Sequence, residues 1–405
     1  MRYRGRDITK EAGLAQRLEQ CVSGPGSRLR CDLQIITAPS ALSAVRTEWL
    51  AFLQRPTVTA GFFTDLRVVL LATCFEQGDR LVIARVLLGD DLVAVVPLIC
   101  RKARIAVKFG LLRLCRISAS MARLADFDFP KERAVSEFDV FTTVVDAIRA
   151  LQRNRSLVDI VLVDSAVVPE SEARHWASRL KGVQTTYTIS LSGSFRGYLD
   201  GLSSKERNNI KRRVKRLAGD DERRITIKRY RDPAEMDELC QYLLTIWKKS
   251  WHARLGQQQV PGVDYLRVLA GYGWVRSYVL FLDGEPVAYI CGYQYNRIFH
   301  HEGTAYDGAL QALAPGIVLL YHVIEDLFSA DSPQSLDFGF GYGEYKSTFG
   351  THPSERGMIR SAVSLRGRMI VTLLNMFDIV FRWSKALLSR TSVLRIIKMR
   401  IRGRA

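Results

Sequence analysis

The sequence contains no run of the ~18 uncharged apolar residues that a bilayer-spanning helix needs. Its opening, MRYRGRDITKEAG, lacks the apolar core of a secretory signal. Histidine is scarce, with six in 405 residues and no HxxxH or HExxH spacing. His300 and His301 are neighbours, and adjacent residues of a strand face opposite sides, so they cannot share one metal ion. No metal centre is expected. The seven cysteines (Cys21, Cys31, Cys74, Cys100, Cys115, Cys240, Cys291) form no CxxC pair. An odd number without regular spacing, mostly in apolar stretches, suits free thiols in a reducing compartment. These absences together predict a cytoplasmic protein without a spanning helix.

Acid is also in short supply: 41 Asp and Glu stand against 59 Lys and Arg, a net charge of +18. Half of that excess lies between Arg366 and Arg404, where ten basic residues meet one acid, Asp378. Such an excess points to an anionic partner or surface near that end of the chain and says little about the fold. With 47% apolar residues the chain has enough to bury substantial cores, which excludes bulk disorder. Its length fits two domains of about 150–200 residues.

The predicted organisation is a polar segment over 1–33, a first domain over 34–190, a second over 191–365 and a basic tail over 366–405. No structure beyond a short helix is expected in 1–33. In the first domain Ser40–Leu53 has helical periodicity, and Leu81–Leu88 and Leu92–Cys100 make a hairpin turned at Gly89–Asp91. A helix over Phe141–Leu151 precedes a buried strand over Val158–Val163. The second domain repeats the plan. Ser203 and Glu206 form a capping box that opens a helix to Leu217. A strand Ile225–Tyr230 and an amphipathic helix Ala234–Trp251 follow, with Trp247 and Trp251 expected to pack on the core. Three strands, Val275–Leu282, Pro286–Tyr295 and Ile298–Ala305, turn tightly at Asp283–Gly284 and Asn296–Arg297 as an antiparallel meander. A helix from Pro315 to Phe328 then crosses over to a parallel strand, Leu336–Phe340.

Where a sheet changes from antiparallel to parallel pairing, strands can splay and expose backbone groups. The helix that follows points its positive N-terminus at that gap, which suits a phosphate. Ala314, Pro315, Gly316 and Ile317 lie there, with Pro315 in the first turn and Gly316 leaving space for an approaching pyrophosphate. LSSKERNNIKRRVKRL (Leu202–Leu217), ALAPGIVLLYHVIEDLF (Ala312–Phe328) and LDFGFGYGEYKSTFG (Leu336–Gly350) carry a family resemblance, joined by EWLAFL (Glu48–Leu53) and VAVVPLICRK (Val93–Lys102). In their order and spacing these segments resemble the GNAT superfamily of acyltransferases. More particularly they look like the acetyltransferases of cellulose and other polysaccharide biosynthesis (a BioF-like acetyltransferase domain), which are similar to Fem-type aminoacyltransferases. Of the spaced glycines in the GNAT pyrophosphate signature only Gly316 is present.

The resemblance implies an α/β (α+β) chain of tandem GNAT-like domains, each a mixed, mostly antiparallel sheet flanked by helices, with a basic amphipathic helical tail. It implies acetyl-CoA or another acyl-CoA as donor, bound by Ala314 to Ile317 and Thr304. The acceptor would be a polar small molecule, sugar or lipid-linked precursor. Direct attack on a thioester needs a base, an acid for the leaving thiolate and donors for the oxyanion. Glu302 and Glu344 are candidate bases, Tyr345 the candidate acid with Tyr342 second, and Lys346 would orient a carbonyl, phosphate or acidic acceptor. Trp251, Tyr342, Arg207 and Lys211 are candidate acceptor contacts.

Seven cations on the Ser203–Leu217 helix surround a narrow apolar stripe of Ile210, Val214 and Leu217, as expected of a surface helix. No aromatics are interleaved for base stacking. The apolar stretch Met369–Trp383, with basic flanks, and a second amphipathic piece, Val393–Met399, suit an interfacial helix on anionic lipid. The alternative is a helix docked on the protein's own core or on a second subunit. Two other functions remain open: aminoacyl transfer from charged tRNA, although no coiled-coil arm shows in the heptad pattern, and a non-catalytic membrane or partner adaptor on a GNAT fold.

Overall fold

A computed structural model of the protein describes residues 16–18, 29–73, 79–109, 112–124, 129–152, 158–167, 180–219, 221, 224–254, 260–329, 331, 333–341 and 343–389. They divide into two compact units. Val183–Arg356 forms the second, and the first takes the chain on either side of it.

In the first unit β1 (Gln16–Leu18), β2 (Leu29–Ile36), β4 (Arg80–Leu88), β5 (Asp91–Phe109), β6 (Leu112–Leu124) and β8 (Ile160–Val167) are neighbours in that order. Two short strands, β3 (Val58–Thr59) and β7 (Lys131–Glu132), pair beside β5. β2 to β6 are antiparallel, and β8 runs parallel to β6 after the helix Glu137–Gln152. β4 is buried on both faces. Leu81 and Ile83 pack under Trp49 and Phe52 of the helix Ser43–Leu53, while Val82, Ala84 and Val86 share a core with Val140, Phe141 and Val144.

β2 corrects the expectation for residues 1–33. Leu29, Cys31, Leu33 and Ile35 are buried and alternate with Arg30, Asp32 and Gln34, a period-2 pattern that the local charge obscures. Asp32 is buried against Arg30 and Arg85, which compensate its charge.

In the second unit the order is β9 (Leu180–Ser190, which enters the unit at Val183), β14 (Ser335–Asp337), β13 (Ile298–Tyr306), β12 (Glu285–Tyr295), β11 (Ser277–Leu282) and β10 (Ile225–Tyr230). β10 to β13 form the expected antiparallel meander. Its turns have positive φ at Asp283 and Gly284 and at Asn296 and Arg297, as primed hairpin turns require. The helix Pro315–Ser329 leads to β14, which is parallel to β13. Both units therefore end an antiparallel meander with a helix and a parallel strand. The helices Ser204–Ala218 and Pro315–Ser329 share one core with Tyr278, Leu280, Ala288 and Ile290. Met236–Lys249 packs on β12 and β13 together with the helix Val263–Gly271.

Three local expectations change. Ser203 does cap its helix, accepting from Glu206 N, but the return bond is hydroxyl to carboxylate, Ser203 Oγ to Glu206 Oε2 at 2.7 Å. The helix through Trp247 stops at Ser250, whose extended backbone breaks the period. Trp251 therefore does not follow Trp247 onto the core and is 48% exposed beside His252. The last strand ends at Asp337 rather than Phe340 because Asp337 Oδ1 accepts from Gly339 N at 2.8 Å and Gly339 takes φ +66.

Candidate functional site

β14 pairs with β13 over only three positions, Ile298 to His300 against Ser335 to Asp337. β13 continues to Tyr306 while the chain after Asp337 turns away through Gly339 and Gly341, both at positive φ. The strands separate just beyond His300, and a bulge between β12 and β13 falls beside the same point, at Cys291 and Gly292, leaving Glu302 as the extra residue.

Asp337 occupies the fork. Its second carboxylate oxygen accepts from Arg356 Nη2 at 2.6 Å, with both side chains largely buried. From the short helix Glu344–Phe349, Lys346 is 7% exposed and donates to Phe338 O at 2.7 Å and Gly339 O at 3.1 Å. An ammonium has three hydrogens, so two hold the turn and one is left for a ligand. Burial pushes the Lys346 ammonium down to about 8, helped by Arg356 and opposed by Asp337 and Glu302.

Glu302 is exposed at the bulge, with neighbouring protein displacing part of its hydration. That loss of hydration raises its carboxyl above the usual range against the pull of Lys346. Tyr265 and Cys291 lie within its electrostatic reach. On the alternate face of β13, His301 is 5% exposed and stacks near Phe338 and Tyr345, each with ring centroids 5.7 Å away. Burial, reinforced by Lys346, pushes His301 down to about 4, so it is neutral at pH 7. Two buried donors or acceptors here, His301 Nε2 and Arg356 Nε, have no hydrogen-bond partner among the described residues. Such atoms are satisfied by water or a ligand.

Glu302 of β13 and Lys346 of the helix Glu344–Phe349 lie at the fork, while Tyr345, from that same helix, packs against His301. Tyr345 is largely enclosed, and burial raises its phenol well above the ordinary value. Glu344 lies exposed in the first turn of its short helix. Tyr342 lies outside the described residues. Thr304, on β13 past the fork, donates to Tyr289 O.

Ala314 enters the Pro315 helix in the left-handed region, φ 53, and its carbonyl accepts from Ile317 N and Val318 N. The open side of Gly316 faces Tyr306, whose Cδ1 lies 3.3 Å from where a Cβ would be, so an aromatic ring fills the space expected for a phosphate. Arg207 is occupied with Leu199 O, Asp200 O and Asp200 Oδ1, while Lys211 is exposed. Among the described residues no group of three or more His, Cys, Asp or Glu is placed to hold a metal ion.

The sequence reading assigned no role to Asp337 or Arg356, and it considered His301 only as a metal ligand. An Asp followed two residues later by Gly was a usable signal for the turn. Arg356 carried none, because its partner lies nineteen positions away.

The candidate site is thus a splayed antiparallel-to-parallel junction with a carboxylate and a buried ammonium beside it. The model of the acetyltransferase (GNAT) domain family matches residues 204–347, from the basic helix through Ser347. Among solved structures the chain is similar to FemX, with a TM-score of 0.53 at 10% identity, over 81% of this chain and 98% of that one. It is also matched to a tandem GNAT protein from the clavulanic acid biosynthesis pathway, with a TM-score of 0.46 at 11% identity, over 82% and 99% of the two chains. No curated protein matches the sequence.

Proposed function

We propose that the second unit moves an acyl group, acetyl by preference, from acyl-CoA to an amine or hydroxyl of a polar acceptor. The acceptor is a cytoplasmic sugar, amine or lipid-linked precursor of polysaccharide or cell-envelope synthesis, as in the polysaccharide-type acetyltransferases the sequence resembles. The observation that carries this reading is the fork at Asp337, with Glu302 at the β13 bulge and the buried Lys346 ammonium holding the turn beside it.

Glu302, with its raised carboxyl, accepts the proton of the acceptor N–H or O–H as that atom bonds to the thioester carbonyl carbon. The tetrahedral oxyanion collapses, the C–S bond breaks and the thiolate takes a proton. Lys346 near 8 matches an ordinary thiol, about 8.5, better than the Tyr345 phenol raised by burial. Proton delivery therefore falls to Lys346, while Tyr345 walls the site with His301. The loop 314–317 and Thr304 are left for the donor, apart from the face of Gly316 that Tyr306 covers. Trp251, Tyr342, Glu344 and Lys211 are left for the acceptor, and Arg207 for positioning its own helix.

Calorimetric titration with acetyl-CoA and a longer acyl-CoA, with thiol release over a panel of amino sugars and amines, tests this function. Saturable binding retained in Glu302→Gln, with turnover down about 10²-fold or more, supports it. A folded protein that binds neither thioester overturns it. A second reading rests on the exposed cations Lys205, Lys211, Arg212, Lys215 and Arg216 along one helix: transfer from a charged tRNA, which tRNA binding in place of thioester binding would single out.

A further inference from the structure

The helix Leu365–Ser389 belongs to the first unit and is divided lengthwise. Its inner side is seated: Ile370 and Leu374 are buried against Val107, Ala119, Met121 and Ile160, and Arg366 Nη2 donates to Ser118 O at 2.6 Å. Its outer side has an apolar stripe covered by none of the described residues. Leu365, Met369, Leu373, Met376, Val380 and Trp383 follow one another at steps of three and four, so they lie on one line. Leu365 is 77%, Met369 68% and Trp383 70% exposed. The line is about 27 Å long at 1.5 Å per residue. A stripe of this size on a seated helix is unusual for a surface that faces only water.

The charge around it selects the occupant. Between Arg366 and Arg404 the sequence holds ten Lys or Arg and one acid. A second copy of this helix would bring the same positive excess against it, without the mixed-sign flanks that pair helices to each other. An anionic lipid surface offers both halves of the match, acyl chains for the stripe and headgroup phosphates for the flanking cations. No described helix is long and apolar enough to cross a membrane, so the contact is parallel to the surface.

We infer that the outer stripe of the Leu365–Ser389 helix is a docking face for an anionic membrane surface. The first unit supplies its rigid backing, so the apolar line is preformed and pays no folding cost on binding. The assignment is independent of the chemistry proposed for the second unit.

The test is co-sedimentation of the full chain with phosphatidylcholine vesicles, with and without about a third of phosphatidylglycerol. It is run beside the triple variant Met369→Gln, Met376→Gln, Trp383→Gln, which keeps every charge and alters only exposed positions. The expected result is binding on the order of 10-fold or more stronger to the anionic vesicles, weakened by salt. The triple variant, with unchanged circular dichroism and melting, should lose at least about 10-fold of it. Equal binding by both proteins, or none by the parent chain, overturns the inference. So does a parent chain that sediments as a dimer without lipid while the triple variant is a monomer, since the stripe would then be an interface between copies.

Discussion

Asp337 Oδ2 accepts from Arg356 Nη2 at 2.6 Å while its Oδ1 accepts from Gly339 N, so one carboxylate both ends β14 and holds Arg356 of the strand His352–Ala362. The opening between β13 and β14 depends on this carboxylate.

Asp337→Asn should therefore cost more than a surface ion pair. It leaves Arg356 as an enclosed charge without its acid, and breaking a buried pair costs roughly 3–5 kcal/mol. With the side chains 11% and 15% exposed, the loss expected here is about 2–4 kcal/mol. Urea unfolding measures the stability loss, and kcat/KM should fall with it because the fork loosens. A variant as stable and active as the parent would remove Asp337 from its assigned role.

Lys346 should link stability and activity to pH in opposite directions. Its ammonium is depressed from 10.5 to about 8, so between these values the unfolded chain binds more protons than the folded one and stability rises with pH. If the ammonium supplies the proton to the thiolate, activity falls as pH rises through about 8. Lys346→Met should abolish both dependences and lower kcat more than it raises KM. Denaturation midpoints and initial rates across this range provide the check.

Arg276 is expected to hold the second unit together without taking part in its chemistry. Its guanidinium is fully buried and donates to Tyr278 Oη, Gln294 Oε1, Asp331 O, Asp326 O and Asp326 Oδ2, tying β11 to the end of the Pro315 helix. Arg276→Met leaves Asp326 to Arg229 and Tyr278 and removes the other buried bonds, which should cost about 1–3 kcal/mol in urea unfolding. Substrate KM in the protein that remains folded should not change.

Gly292 stands at the bulge because no side chain fits there. A Cβ would lie 2.3 Å from Phe299 Cζ and 2.9 Å from Arg276 O. Gly292→Ala should destabilise by about 1–3 kcal/mol or more through overpacking. Phe299→Leu in the same chain should recover part of the loss, and additive losses in thermal melts would contradict the contact.

Much of the frame was legible locally. Asp283–Gly284 and Asn296 announce primed turns through residues that tolerate positive φ, and Ile210, Val214 and Leu217 mark the buried line of a basic helix. Pro315 opens its helix where a missing N–H costs nothing. These signals lie within a turn or two of the residues that carry them, so they can be read without partners.

The sequence by itself determined the repeated strand and helix order, the meander, the basic helix, the apolar and basic character of the C-terminal helix, and Glu302, Tyr345 and Lys346 as candidates. Only the tertiary structure decided that β2 begins at Leu29, that Trp251 leaves the core, that Tyr306 covers Gly316, and that Asp337 meets Arg356 while Arg276 meets Asp326 fifty positions away. It alone also divided the Leu365–Ser389 helix into a seated side and an open one. The physical reason is the same throughout. Periodicity and turn chemistry are properties of neighbouring residues, whereas burial, desolvation and ion pairing depend on which distant atoms the folded chain brings within a few ångströms.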